Sequence, residues 1–215
     1  ELYKSTDFEF TGNDSVSATN VGTYGMELKS EDFKNTNGNF SKVTFVVVDG
    51  QLTITPKSVD PESGKGMSVG KLPHVTYDGK SQKQKPEVKD GNTLLTEGAD
   101  YTLSYSKDTT NVGTVTVTVE GKGNYAGEAE VTYEIMKRQV TLESASASKA
   151  YDGTPLFSHD VVVTSAAGFV EDDVVSMTAP NSITEVGSLT NKIAIEWSND
   201  VAAGNYVVLK KAFSR

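Results

Sequence analysis

Val112-Gly113-Thr114-Val115-Thr116-Val117-Thr118-Val119-Glu120-Gly121-Lys122-Gly123 is the stretch that decides the fold. Valine recurs at every second position from 115 to 119, with threonine between. Successive side chains of a strand point to opposite faces, so this alternation buries one face and wets the other. Glycines bracket the run, where the chain can turn.

The same period of two runs through Tyr101, Leu103 and Tyr105, through Val131, Tyr133 and Ile135, and through Ile193, Ile195 and Trp197. Near the start, Val43, Phe45 and Val47 alternate, and Leu52 and Ile54 alternate with Thr53 and Thr55. Asp49-Gly50 lies between those two runs, and an Asp-Gly pair in that setting predicts a tight hairpin. Only Ser30 to Asn35 offers a cap and a turn or two of helix. The expected class is all-β, built of small tandem β-sandwich modules in an elongated arrangement. Two layouts, immunoglobulin-like and β-grasp-like, remain open.

A repeat organises these strands. Tyr77-Asp78-Gly79 recurs 74 residues later as Tyr151-Asp152-Gly153. In each copy a second glycine corner follows the Asp by 35 residues, Val112-Gly113-Thr114 and Val186-Gly187-Ser188. Gly123-Asn124-Tyr125 and Gly204-Asn205-Tyr206 close those copies, and Gly38-Asn39-Phe40 is a distant counterpart. Asn20-Val21-Gly22-Thr23 matches Asn111-Val112-Gly113-Thr114, but no Tyr-Asp-Gly precedes it. Residues 1–57 therefore read as the back portion of a module whose front is missing. Residues 58–136 make a complete second module, and 137–215 a third that stops one strand short. Pro56 to Gly70 is rich in Pro, Gly, Ser and Lys, a linker composition, so 58–70 is expected to be a loose junction. The junction near Met136 to Gln139 has no spacer and is expected to be stiff.

Composition narrows the function. The 215 residues carry a net charge of -9, which repels nucleic-acid phosphates, and the cluster Lys80 to Lys85 reads as a solvated loop. No apolar run approaches the ~20 residues of a membrane-spanning helix. Cysteine is absent, which removes disulfides, zinc thiolates and cysteine nucleophiles.

Candidate chemistry is sparse. His74 and His159 occupy unrelated repeat positions and have no partner at metal-ligand spacing. Asp78 and Asp152 recur, but an Asp-Gly after a strand residue is a turn: Asp bonds nearby amides and Gly takes positive φ. Tyr77 and Tyr151 recur with it and are expected to plug the module ends. Gly113, Gly187, Asp49 and Gly50 complete the set of structural turn residues. Glu171, Asp172 and Asp173 are contiguous, unlike the spaced ligands of a calcium loop, and read as a solvated acidic turn. Gly121-Lys122-Gly123 lies between strands, so it is a turn and not a phosphate loop. Trp197 falls in phase with core positions. No catalytic residue, cofactor or metal is expected.

These residues resemble the tandem β-rich modules called MBG or YDG domains in large bacterial cell-surface proteins. Carrying the resemblance are Thr76 to Lys80, Thr96 to Tyr105, Gly121 to Tyr125, Ala145 to Leu156, Val21 to Tyr24 and Asp49 to Ile54. It implies export, display on a bacterial surface of the kind found among gut Firmicutes, and a role as non-catalytic spacer or adhesin. Implied partners are neighbouring repeats and a host glycan or extracellular protein. The alternative is an accessory binding module on a secreted glycoside hydrolase.

Overall fold

The computed structural model describes residues 2–60 and 66–212. In chain order the strands are β1 (Phe8–Phe10), β2 (Gly22–Gly25), β3 (Phe33–Asn35), β4 (Gln51–Ile54), β5 (Lys57–Ser58), β6 (Ser68–Val69) and β7 (Val75–Thr76). Then come β8 (Val88–Asp90), β9 (Thr93–Leu94), β10 (Tyr101–Tyr105), β11 (Gly113–Gly121), β12 (Tyr125–Ala126), β13 (Glu128–Met136) and β14 (Arg138–Ser144). The last are β15 (Leu156–Phe157), β16 (Val161–Val163), β17 (Val174–Thr178), β18 (Ser182–Ile183), β19 (Ala194–Trp197) and β20 (Tyr206–Ala212). Strand accounts for 39% of the chain and helix for 4%, which makes the fold all-β.

The chain divides into two units of contact: residues 1–68, 88–102 and 119–129, and residues 69–87, 103–118 and 130–215. In the first unit, β1 pairs antiparallel with β3 and β2 with β4. An aromatic cluster packs beside β1 and β3, with Phe33 stacked on Phe45 at 5.5 Å and Phe8 5.7 Å from Phe45. Val59, Met67, Val88, Leu95, Tyr101, Val119 and Ala129 are this unit's buried residues. β5 pairs in parallel with β12, and Val59 then donates its N–H to the carbonyl of Ala126. Gly121 lies so close to Ala126 that a Cβ there would sit 2.6 Å from the Ala126 nitrogen.

The second unit is built on one hydrophobic cluster. Tyr77, Val115, Val117, Tyr133, Ile135, Val140, Leu142, Ile193 and Tyr206 form it, drawing on β11, β13, β14 and β20. Their period-two spacing is what places them on one face while Thr116 and Thr118 stay only half-buried on the other. The sheet order is β16-β14-β20, with β14 and β20 parallel over seven residue pairs from Arg138↔Tyr206 to Ser144↔Ala212. β13 likewise ends in parallel against β7. Only Lys137 separates β13 from β14.

Several local expectations are corrected. The hairpin does not form at Asp49-Gly50: β4 pairs with β2, and residues 41–50 lie outside regular strands. Gly50 does not take positive φ, and the Asp49 carboxylate instead accepts the Glu27 N–H at 2.8 Å. A tight hairpin forms instead with Gly91-Asn92 as its loop, where β8 meets β9 and Gly91 has φ 58°. Within the stretch expected to be a linker, Lys57–Ser58 and Ser68–Val69 are strand, and Val59 and Met67 are among the most buried side chains. Residues 61–65 of that stretch lie outside the described residues. Ser30–Asp32 makes a single 3-10 turn that ends where Phe33 enters β3. A short helix α1 (Asp200–Gly204) was not anticipated; the Asn199 side chain caps it by accepting the Ala202 N–H at 2.8 Å.

Burial decides where substitutions act. Leu142→Ala, at a site with no exposure, is expected to cost about 2–5 kcal/mol. Val46→Ala, at a site 87% exposed, is expected to stay within about 0.5 kcal/mol. Urea unfolding of both variants measures the difference.

Candidate functional site: two asparagine clasps

Asparagine is the side chain that can accept and donate at one place, which suits it to bridge a backbone amide and a second amide side chain. The chain does this twice with the same pattern of partners. In the second unit, Val112 donates its N–H to Asn205 Oδ1 at 2.9 Å, and Asn205 Nδ2 donates to Asn111 Oδ1 at 2.8 Å. The Asn205 carbonyl accepts the Arg138 N–H at 2.9 Å, which opens the parallel β14–β20 ladder. In the first unit, Val21 donates to Asn124 Oδ1 at 2.8 Å and Asn124 Nδ2 donates to Asn20 Oδ1 at 3.0 Å. There the Asn124 carbonyl accepts the Lys57 N–H at 2.9 Å, at the head of the β5–β12 pair. Each clasp joins residues that the sequence repeat assigns to successive copies.

The polarity of the second clasp is fixed by its ends. A backbone N–H can only donate, so the Asn205 atom facing Val112 is the oxygen. At the other end the Asp108 carboxylate can only accept, and it takes the Asn111 Nδ2 at 2.9 Å, leaving Asn111 Oδ1 for Asn205. Asp108 also accepts the N–H groups of Thr110 and Asn111. Those backbone bonds, first among them that of Asn111, hold the Asp108 carboxyl below its ordinary range. Burial separates the two clasps. Asn205 is 2% exposed, whereas Asn20 and Asn124 are exposed. Water can replace the partners of Asn124, but a buried carboxamide stripped of partners costs about 1–3 kcal/mol.

The residue after each clasp is a tyrosine whose hydroxyl reaches an aspartate. Tyr125 donates to Asp90, which also pairs with Lys57. Tyr206 donates to Asp173 Oδ2 at 2.5 Å and accepts the Val170 N–H at 2.9 Å. Tyr77 donates to the same Asp173 oxygen at 2.9 Å and meets the Tyr206 ring edge-on at 5.5 Å. Trp197 stacks on Tyr206 at 5.4 Å and Phe169 meets both rings. Asp173 is therefore no free member of a solvated acidic turn; two buried phenols hold its carboxylate. Burial, and then the hydrogen bond to Asp173, push the Tyr206 hydroxyl well above its ordinary value, and Tyr77 shifts the same way for the same reasons.

At the two Tyr-Asp-Gly motifs the expected turns form. Gly79 and Gly153 have φ of 78° and 74°, and the Asp78 and Asp152 carboxylates accept the N–H groups of Lys80 and Thr154, both at 2.9 Å. Lys149 also bonds Asp152, and this first, with Thr154, drives the Asp152 pKa far down. Gly113 and Gly187 share a φ of 152° and 156°. The two recurring tyrosines part company: Tyr77 is 4% exposed, but Tyr151 is 64% exposed and plugs nothing. His74 Nδ1 accepts the Glu134 N–H, and the His159 ring bonds the Ala179 carbonyl and stacks on Phe157. Neither histidine meets an acid or a second histidine in these contacts. Among the described residues no group of three or more His, Asp or Glu could hold a metal ion.

The sequence model of the MBG domain matches residues 1–56, and that segment is similar to an MBG-type module. The family is β-rich and non-catalytic. The match lies on the stretch expected to be an incomplete module, while most of the segments carrying the resemblance fall outside it. No curated protein and no solved structure matches the chain.

Alkali tests the tyrosine pair. A phenol with a raised folded pKa contributes stability that is full below its unfolded value near 10 and is lost as pH rises through the folded value. Tyr206→Phe and Tyr77→Phe are expected to lower stability at neutral pH and to flatten its fall above pH 10 relative to the unmodified chain. Parallel absorbance and circular-dichroism titrations from pH 9 upward measure it, with tyrosinate appearing for this pair only as the fold is lost.

Proposed function

We propose that this chain is a non-catalytic segment of an exported bacterial surface protein, a stalk that carries tension between neighbouring modules of the same chain. The supporting observation is the β14–β20 ladder. Its seven pairs run in parallel, and β14 and β20 open and close the third repeat copy. Tension drawn along the chain pulls Arg138 one way and Ala212 the other, along adjacent strands. Hydrogen bonds that cross between the strands are then loaded together and not one after another. The hydrophobic side chains Val140 and Leu142, fully buried under that ladder, must slide at the same time.

The MBG-type match and the acidic, cysteine-free composition agree with an exposed, soluble surface segment. Display outside the cell is part of the proposal. Direct adhesion to a host glycan or extracellular protein, or service as an accessory module of a secreted glycoside hydrolase, is the rival reading. Exposed Phe157, stacked at 4.9 Å on His159, is the observation that favours it.

Because the chain has no cysteine, introduced cysteines give unique handles for force spectroscopy. Pulling Lys137→Cys against Lys211→Cys shears the ladder; pulling Ser146→Cys against Lys211→Cys peels it from one end. The shear geometry is expected to need at least about twice the force at equal loading rate, since forced unfolding follows the barrier of the step loaded. Equal forces in the two geometries overturn the tension-bearing role.

A further inference from the structure

Glu185-Val186-Gly187-Ser188 occupies the repeat position of Asn111-Val112-Gly113-Thr114, and it matches Asn20-Val21-Gly22-Thr23 in form. The backbone agrees: Gly22, Gly113 and Gly187 have φ of 157°, 152° and 156°. At the first two corners the valine N–H donates to an asparagine carboxamide, and the residue before it accepts from that same carboxamide. At the third corner Val186 is 86% exposed, and Leu189, three residues on, 51%. Among the described residues, neither the Val186 N–H nor the Glu185 carboxylate has a hydrogen-bond partner.

We propose that Glu185–Ser188 is a docking corner for one more Gly-Asn-Tyr module joined in the same polypeptide, and that its asparagine clasps Val186 and Glu185. This rests on the reading of the two existing clasps as junctions. A donor N–H next to a side-chain acceptor is the complement of a carboxamide, and that chemistry names the occupant. Glutamate in place of asparagine keeps the role: what Asn111 and Asn20 contribute to the clasp is an acceptor oxygen, and a carboxylate is the stronger acceptor. Two exposed hydrogen bonds hold little in trans. Covalent linkage supplies the millimolar effective concentration at which they close.

The test fuses a second copy of residues 137–215 behind Arg215 and follows amide exchange by NMR. Exchange at Val186 is expected to slow at least about tenfold relative to the unfused chain, the amide having gained a partner. Alanine at the added module's counterpart of Asn205 is expected to restore the unfused rate, as is Glu185→Ala, whereas Glu185→Gln keeps most of the protection. Val112, held by Asn205, serves as the internal standard. If Val112 exchanges as fast as Val186 in the unfused chain, the clasps themselves fail and not only the docking. If Val112 is protected and Val186 keeps its unfused rate beside a folded added module, the docking is overturned. Should residues 137–215 not fold when appended, a fusion of residues 57–215 presents the counterpart of Asn124 to the same corner. An unchanged Val186 there overturns the proposal equally.

Discussion

A buried carboxamide must find partners for both its ends, and Asn205, with its backbone carbonyl, ties two other segments of chain together. Its oxygen holds Val112, its nitrogen holds Asn111, and its carbonyl starts the β14–β20 ladder at Arg138. Tyr206, the next residue, enters the hydrophobic cluster with its hydroxyl at Asp173 and its ring against Tyr77 and Trp197. The seven pairs of the ladder follow from there in parallel register. Removing the carboxamide leaves the Val112 N–H and the Asn111 oxygen without the partner their positions were set by.

The two clasps use one geometry at different depths, and depth sets what each can do. Around Asn205 water is excluded, so the bonds are stronger and their loss dearer. Around Asn124 water competes, and the adjoining parallel pair is only two residues long. Lys57 and Asp90 add an ion pair there, but an exposed pair contributes at most about 1 kcal/mol. The strongly held clasp is therefore the one that ties 103–118 to 138–212 within the second unit. Of the two clasps, this one adjoins the longer parallel pairing and the deeper burial.

The strands were legible because their pattern is local. Val115, Val117 and Val119 alternate with threonine, and the structure buries the valines. The clasps were half legible: Asn-Val-Gly-Thr and Gly-Asn-Tyr recur, but that the two motifs bind one another lies in contacts 94 and 104 residues apart along the chain. One spacing did carry the signal, since Lys57 and Arg138 each precede a Gly-Asn-Tyr asparagine by 67 residues. Asp49-Gly50 misled because a hairpin signal describes only the turn; the partner of β4 was β2, far upstream. Val59 and Met67 were missed because single apolar residues amid Pro, Gly and Ser carry no periodicity, yet tertiary packing buried them. Asp173 was misread for a related reason. Nothing in Glu171-Asp172-Asp173 reveals two tyrosines arriving from 33 and 96 residues away.

Whether the clasp is an energetic unit is measured most directly by a double-mutant cycle on Asn111→Ala and Asn205→Ala, with urea unfolding of all four proteins. Residues sharing one hydrogen-bond relay are coupled, and an interaction energy of about 0.5–3 kcal/mol is expected, the second substitution costing less once the first is made. Strictly additive losses would show that the two carboxamides act independently, and the junction would then have to be explained without them.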